Sequence, residues 1–221
     1  MPLKVHVVDN PLLQHILLQL RDRETPRPRF RQLLETAGML LGYEASRSLH
    51  TRNRSVVTPL GATVEGVEVM DDEAVVIAVL RAALPMAYGV LRVLERAEMG
   101  FAAATRLEDT AKRVGDKLVF DVESPYWKTP RLQGRDVVLV DPMLATGSTL
   151  TRIAGRVLDE EPRSLIVVTL IAARQGLSRL EETVAERSVD LYAAAVDPSL
   201  DERGFIVPGL GDAGDRCFGE A

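Results

Sequence analysis

Cysteine is almost absent: Cys217 stands alone, which excludes an intrachain disulfide and points to a reducing compartment. Nothing around it would lower its pKa, so Cys217 reads as a small buried hydrophobe rather than a nucleophile. Histidine is also scarce, and His6, His15 and His50 are too scattered for metal-ligand spacing. No apolar run reaches membrane length. The first ten residues carry Lys4, His6, Asp9 and Asn10, which is not a secretory signal pattern. A cytoplasmic protein is expected. There is no basic block, and the net charge is −5, which argues against a nucleic-acid surface but not against one phosphorylated small molecule. The chain has no internal repeat, no low-complexity segment, no G-x-G-x-x-G and no Walker lysine motif. What remains is ordinary for a soluble globular protein: 46% apolar and 27% charged residues in 221 positions. That length suits one domain, 1–221, with a substantial core.

The most informative stretch is 136–150. Val137-Val138-Leu139-Val140 reads as a strand buried on both faces, as in a parallel sheet. Asp141 ends it, and Pro142-Met143-Leu144-Ala145-Thr146-Gly147-Ser148-Thr149 leads into a helical pattern of Leu150, Ile153, Ala154, Val157 and Leu158. Unpaired N–H groups and the positive dipole end at a helix start bind phosphate well. Gly147 lets backbone approach a ligand, while Thr146, Ser148 and Thr149 add hydroxyl donors. The simpler alternative is that Ser148 or Thr149 merely caps a helix. Asp141 weighs against it, because a carboxylate beside a phosphate cradle is a poor choice unless it meets hydroxyls or a metal. A sugar phosphate supplies such groups.

Around this stretch the chain alternates. Val5, Val7 and Val8 suit a short edge strand. Helical spacing follows in Leu12, Leu13, Ile16, Leu17 and Leu20 and, after Thr25-Pro26-Arg27-Pro28, in Phe30, Leu33, Leu34, Ala37, Leu40 and Leu41. These helices carry no chemistry of their own and read as packing or oligomer-interface elements. Val56-Val57-Thr58 and 64–69 suggest peripheral antiparallel strands with turns at Gly61 and Gly66. The core starts with the apolar run Ala74–Leu80. Arg81 then sits where open α/β sheets place ligands, or else snorkels at the sheet edge. A helix with Met86, Val90, Leu91 and Leu94 follows, and 99–105 is a second core strand. The mixed-charge connection through Arg106, Lys112, Arg113 and Lys117, with a strand expected at Lys117–Asp121, is long enough for a lid or an excursion hairpin. Strands at 164–171 and 189–195, with a helix at 177–185 between them, complete about five core strands. A twisted, mostly parallel α/β sheet flanked by helices is the expected fold.

The tail is the second informative stretch. Fraying is the default for terminal residues, yet Phe205, Ile206, Val207, Leu210 and Phe218 are apolar and need a surface to cover. Gly209, Gly211 and Gly214 would let main-chain amides face a ligand. A pyrimidine base has donors and acceptors along one edge, and such amides can read it.

These motifs resemble those of a known family. Asp-Pro-Met-Leu-Ala-Thr-Gly-Ser, at 141–148, is similar to the ribose-phosphate motif of phosphoribosyltransferases in its uracil phosphoribosyltransferase version. Gly-Phe-Ile-Val-Pro-Gly-Leu-Gly-Asp-Ala-Gly-Asp-Arg, at 204–216, resembles that family's uracil-binding end. Leu80-Arg81-Ala82-Ala83 resembles a Leu-Arg-Ala-Gly step, Arg106-Leu107-Glu108-Asp109-Thr110 an Arg-x-Glu-x-Thr step, and Tyr43-Glu44-Ala45 part of the N-terminal arm. Ala83 replaces the usual glycine, which would strain the loop if only glycine suits its backbone. Phe205 replaces the usual tyrosine and removes one hydroxyl.

The resemblance covers nearly the whole chain and implies the type I phosphoribosyltransferase fold, with a helical arm at 1–50 and a base-binding hood at 196–221. It implies transfer of phosphoribosyl from 5-phosphoribosyl 1-diphosphate to uracil, giving UMP and diphosphate in pyrimidine salvage. The donor would meet Arg81, Arg106, the segment from Asp141 to Thr149, and Asp212. Uracil would meet Ile206, Gly211, Asp212 and Ala213. Asp141, Arg81, Arg106 and Asp212 are the expected catalytic residues, with removal of the N1 proton by Asp212 a hypothesis. Magnesium is the expected cofactor, held mainly by the donor's diphosphate. Family members form homodimers or homotetramers, and some respond to GTP or CTP. No nucleic-acid or membrane partner is expected. The rival is a regulator of the same fold that senses pyrimidine nucleotides and binds RNA; the acidic balance counts against it.

Overall fold

The computed structural model describes residues 3–115, 117–185 and 187–220; the side chains at 105–109, 111–114 and 117–125 lie outside that description. The chain opens with strand β1 (Leu3–Val7) and helix α1 (Pro11–Arg21). Asn10 caps α1, its side-chain oxygen accepting from the N–H groups of Leu12 and Leu13, and Pro11 occupies a first-turn position that needs no N–H. Helix α2 (Arg27–Ala45) buries Phe30, Leu33, Leu34, Ala37 and Leu41, the stripe its spacing indicates. An exposed antiparallel pair follows, β2 (Thr51–Val57) and β3 (Thr63–Val69), forming a sheet of its own.

The core then runs β4 (Ala74–Leu80), α3 (Leu84–Leu91), β5 (Glu98–Val114), β6 (Lys117–Lys128), β7 (Asp136–Val140), β8 (Met143–Leu144), α4 (Ser148–Asp159), β9 (Ser164–Ala173), α5 (Arg174–Thr183) and β10 (Val189–Asp197). The tail adds the antiparallel pair β11 (Ser199–Leu200) and β12 (Ile206–Val207), then α6 (Ala213–Phe218). In space the main sheet reads β1-β10-β9-β7-β4-β5-β6, with β8 joined to β9. Every pairing is parallel except β5 with β6.

The five expected core strands are β4, β5, β7, β9 and β10. The sheet is wider because β1 adds at one edge, pairing Leu3 to Val7 with Val189 to Ala193, and β6 folds back on β5 at the other. The long charged connection is thus a hairpin. Strand β9 also continues to Ala173, beyond the interruption expected at Ala172, because Val196 and Leu144 both pair with that end. Strands β4 and β7 are buried almost throughout, which is why both read as unbroken apolar runs.

Helices α2 and α3 meet backbone to backbone. A Cβ on Gly38 would lie 2.1 Å from the Met86 carbonyl oxygen, and one on Gly89 would lie 1.9 Å from that of Glu35. Ala83, just before α3, has ordinary right-handed backbone (φ −73°, ψ −15°), so the strain considered for this non-glycine residue does not arise. Among the described residues, no helix is long and apolar enough to cross a membrane.

Candidate active site

Strands β4 and β7 are neighbours, but their connections leave in opposite directions. From β4 the chain passes through α3 to β5; from β7 it passes through α4 to β9. A crevice therefore opens at their carboxyl ends, where open α/β sheets bind ligands. Here it is a cleft of about 290 Å³. Leu80, Arg81 and Ala82 form one wall, Asp141 and the segment from Met143 to Leu150 the floor, and Gly204–Ile206 with Gly211–Gly214 the opposite wall.

The floor has the strand–turn–helix form that suits a phosphate. Gly147 takes left-handed backbone (φ 79°) and stands at the cap position of α4, where no side chain caps the helix. The alternative in which Ser148 or Thr149 is spent as the cap is thereby removed. Gly147 is also crowded: a Cβ there would lie 3.1 Å from the Gly176 carbonyl oxygen and 3.2 Å from Arg179 Cβ. Thr151 Oγ1 donates to the Gly147 carbonyl at 2.7 Å, and Thr146 Oγ1 donates to Ser148 Oγ at 3.2 Å. The Ser148 N–H donates to Thr146 Oγ1 at 3.4 Å, and the first turn of α4 brings the positive end of its dipole to this loop.

Asp141 ends the floor at the sheet. Burial raises its carboxyl to about 7, opposed by the Met143 N–H, which donates to Oδ1 at 3.3 Å. A buried carboxylate so lightly compensated, facing a cleft, is suited to ligand hydroxyls or a cation. Arg81 reaches across to the far wall, its Nη2 3.4 Å from Asp215 Oδ1, with both side chains substantially exposed. Asp212 caps α6 by accepting from the Asp215 N–H at 2.9 Å, a structural role the sequence did not announce. Among the described residues no group of three or more His, Cys, Asp or Glu could by itself hold a metal.

Comparison with known proteins shows the family of the chain. Residues 7–220 match the family profile described as uracil phosphoribosyltransferase. The uracil phosphoribosyltransferase of Streptomyces griseus is 40% identical over 99% of this chain and 100% of its own length. The chain belongs to the uracil phosphoribosyltransferase family. Its relative of the same description in Metallosphaera sedula is 39% identical over 97% of this chain and 99% of its own. The solved structure of the AQ2163 protein from Aquifex aeolicus superposes with a TM-score of 0.88 at 32% identity, covering 99% of each chain.

Of the site residues expected from the family motifs, Arg81, Asp141, Met143, Leu144, Ala145, Thr146, Gly147, Ser148, Thr149, Ile206, Gly211, Asp212 and Ala213 line this one cleft. Pro142 does not; it is buried behind the floor, where its carbonyl accepts from the N–H groups of Leu170 and Ile171, each at 3.1 Å. Arg106 lies on β5 opposite Val122, and its side chain is outside the described residues, as are those of Lys112, Arg113 and Lys117. Phe205, the departure from the family's tyrosine, also lines the cleft, with the Arg203 guanidinium 5.0 Å from its ring centre.

Sequence reasoning missed Arg179. From α5 its Nη1 donates to Ser148 Oγ at 2.5 Å, adding a cation beside the cradle. The available signal was a basic residue within one turn of Gly176, whose absent Cβ lets α5 touch the loop: a Cβ there would lie 2.6 Å from the Ala145 carbonyl oxygen. Cys217 is buried and its thiol is pushed up to about 11 by burial, in keeping with an inert packing residue.

Proposed function

We propose that the chain transfers the phosphoribosyl group of 5-phosphoribosyl 1-diphosphate to N1 of uracil, releasing UMP and diphosphate in cytoplasmic pyrimidine salvage. One observation carries the reading: the cradle around Gly147 and the glycine-rich turn at Gly211–Ala213 face each other across a single cleft. One end of a nucleotide fits each. The 5-phosphate sits on the amides from Ala145 to Thr149 and the hydroxyls of Thr146 and Ser148. Asp141 accepts from the ribose hydroxyls, and ligand binding draws its carboxyl into the charged form. Arg81 and Arg106 hold the departing diphosphate, charge stabilisation of the kind that dominates many enzyme rates. The ribose C1–oxygen bond breaks with its electron pair on diphosphate, uracil N1 bonds to C1, and the N1 proton leaves to solvent or a nearby base. Backbone groups from Ile206 to Ala213 orient the base, and the tail that holds it keeps water from competing for C1.

Magnesium belongs to the same proposal. One buried, lightly compensated carboxylate, Asp141, suits a hard cation carried mostly by phosphate oxygens better than a cage built from protein alone. When bound, the ion would neutralise charge on the diphosphate.

Homo-oligomers, as dimer or tetramer, are also proposed. The β2–β3 hairpin supports this: it stands apart from the main sheet with Val57 71%, Leu60 96% and Val67 70% exposed. A lone two-stranded hairpin is marginal without something to pack on.

The test is to supply purified protein with 5-phosphoribosyl 1-diphosphate, magnesium and labelled uracil, orotate or hypoxanthine, with and without GTP or CTP. UMP and diphosphate from uracil alone are expected. No diphosphate release with any base, together with a salt-sensitive shift of RNA, would favour the regulator instead.

A further inference from the structure

The tail that faces the cleft is fastened from behind by the helical arm. Arg21, the last residue of α1, forms a two-pronged ion pair with Asp197, the last residue of β10: Nη1 donates to Oδ2 at 2.8 Å and Nη2 to Oδ1 at 2.7 Å. The side chains are 21% and 6% exposed, so this is an inward-facing pair rather than a surface one. Both partners then take hold of the same residue. Arg21 Nη1 donates to the Gly209 carbonyl at 2.8 Å, and the Gly209 N–H donates to Asp197 Oδ2 at 2.9 Å. Each polar group of the Gly209 backbone is therefore held by one half of the pair.

Gly209 can be gripped so closely only as glycine. Its φ is 57°, and a Cβ would lie 2.0 Å from the Ile206 carbonyl oxygen. Next to this grip, Arg216 donates from Nη1 to the carbonyls of Leu20 and Leu210 and from Nη2 to that of Asp22. The carboxyl end of α1, where carbonyls are unpaired and the dipole is negative, thus receives a cation from the tail. Neither Arg21 nor Asp197 lines the cleft. Yet Gly209 is two residues before Gly211, where the base-facing turn begins.

Resting on the uracil transfer proposed above, we infer that the Arg21–Asp197 pair is a positioning device for the base: by clamping Gly209 it fixes the turn from Gly211 to Ala213 against the cleft. Inward-facing ion pairs contribute little net stability, but a planar fork on a carboxylate defines direction and distance closely. Lysine keeps the charge and loses the fork. A tie that only stabilised the fold would alter unfolding and leave the two substrates alike. A tie that aims the base turn alters uracil far more than the donor, which meets this turn through Asp212 alone and is otherwise held by other segments.

The experiment compares wild type with R21K and D197N, measuring kcat, both KM values and the urea midpoint. R21K is the milder change and reads the proposal on its own if D197N does not fold. For each folded variant, KM for uracil should rise about tenfold, the scale of one lost charged hydrogen bond, with KM for the donor within about twofold of wild type. Equal changes in both KM values, or a lower urea midpoint with uracil KM unchanged, would overturn the inference while leaving the reaction standing. A wild-type protein that makes no nucleotide from uracil would remove the reaction, and the inference with it.

Discussion

Burial holds the Asp141 carboxyl near 7, and the sign of its effect on stability follows from where the proton resides. Between the ordinary value of 3.8 and about 7, the folded chain keeps a proton that the unfolded chain has released. Stability therefore falls as pH rises through that window. Asp141→Asn removes the effect. Urea titrations should find D141N more stable than wild type by roughly 2–4 kcal/mol at pH 8, the two converging below about pH 4. Transfer should fall about a hundredfold in the same variant, the usual scale for losing one preorganised polar contact. Arg179 stands beside the proposed phosphate cradle, at the opposite end of the cleft from the tail. Arg179→Ala takes a cation and one hydrogen bond from Ser148, so steady-state kinetics should show KM for the donor rising roughly fivefold with uracil KM unchanged. That is the mirror image of the result expected for Arg21.

At the scale of elements, the crossing of α2 over α3 leaves no room for side chains at Gly38 and Gly89. Gly38→Ala would drive a methyl group into the Met86 backbone, which cannot swing aside as a flexible side chain could. A loss of about 1–3 kcal/mol, or failure to fold, is expected in equilibrium unfolding. The elements themselves were largely legible. Strands β4, β7 and β9 are continuous apolar runs because both faces are covered, and α1 and α2 show helical spacing because one stripe is buried. The two-residue strands β8, β11 and β12 could not be read, since pairing partners rather than local pattern define them. The same reason hid Arg179, which meets Ser148 across 31 positions, and Arg21, which meets Asp197 across 176. Motif spacing reports neighbours along the chain; a hydrogen bond between distant elements leaves no such trace. Asp141 and Gly147 were visible because one short strand–turn–helix contains both.

For the whole molecule, the cleft joins a loop rooted in the sheet to a turn braced by the arm. The proposed assembly would use a separate face, the exposed β2–β3 hairpin. Placing aspartate at both Val57 and Val67 should lower the mass measured by light scattering while leaving the isolated fold intact, because both side chains are exposed. The bracing of the tail also has a bearing on biogenesis. Gly209 is translated 188 residues after the arginine that clamps it, and Arg216 follows Leu20 by 196. On the proposed reading, a growing chain completes the phosphate side of its cleft well before the base side, which waits until the late-made tail docks on a helix translated near the start.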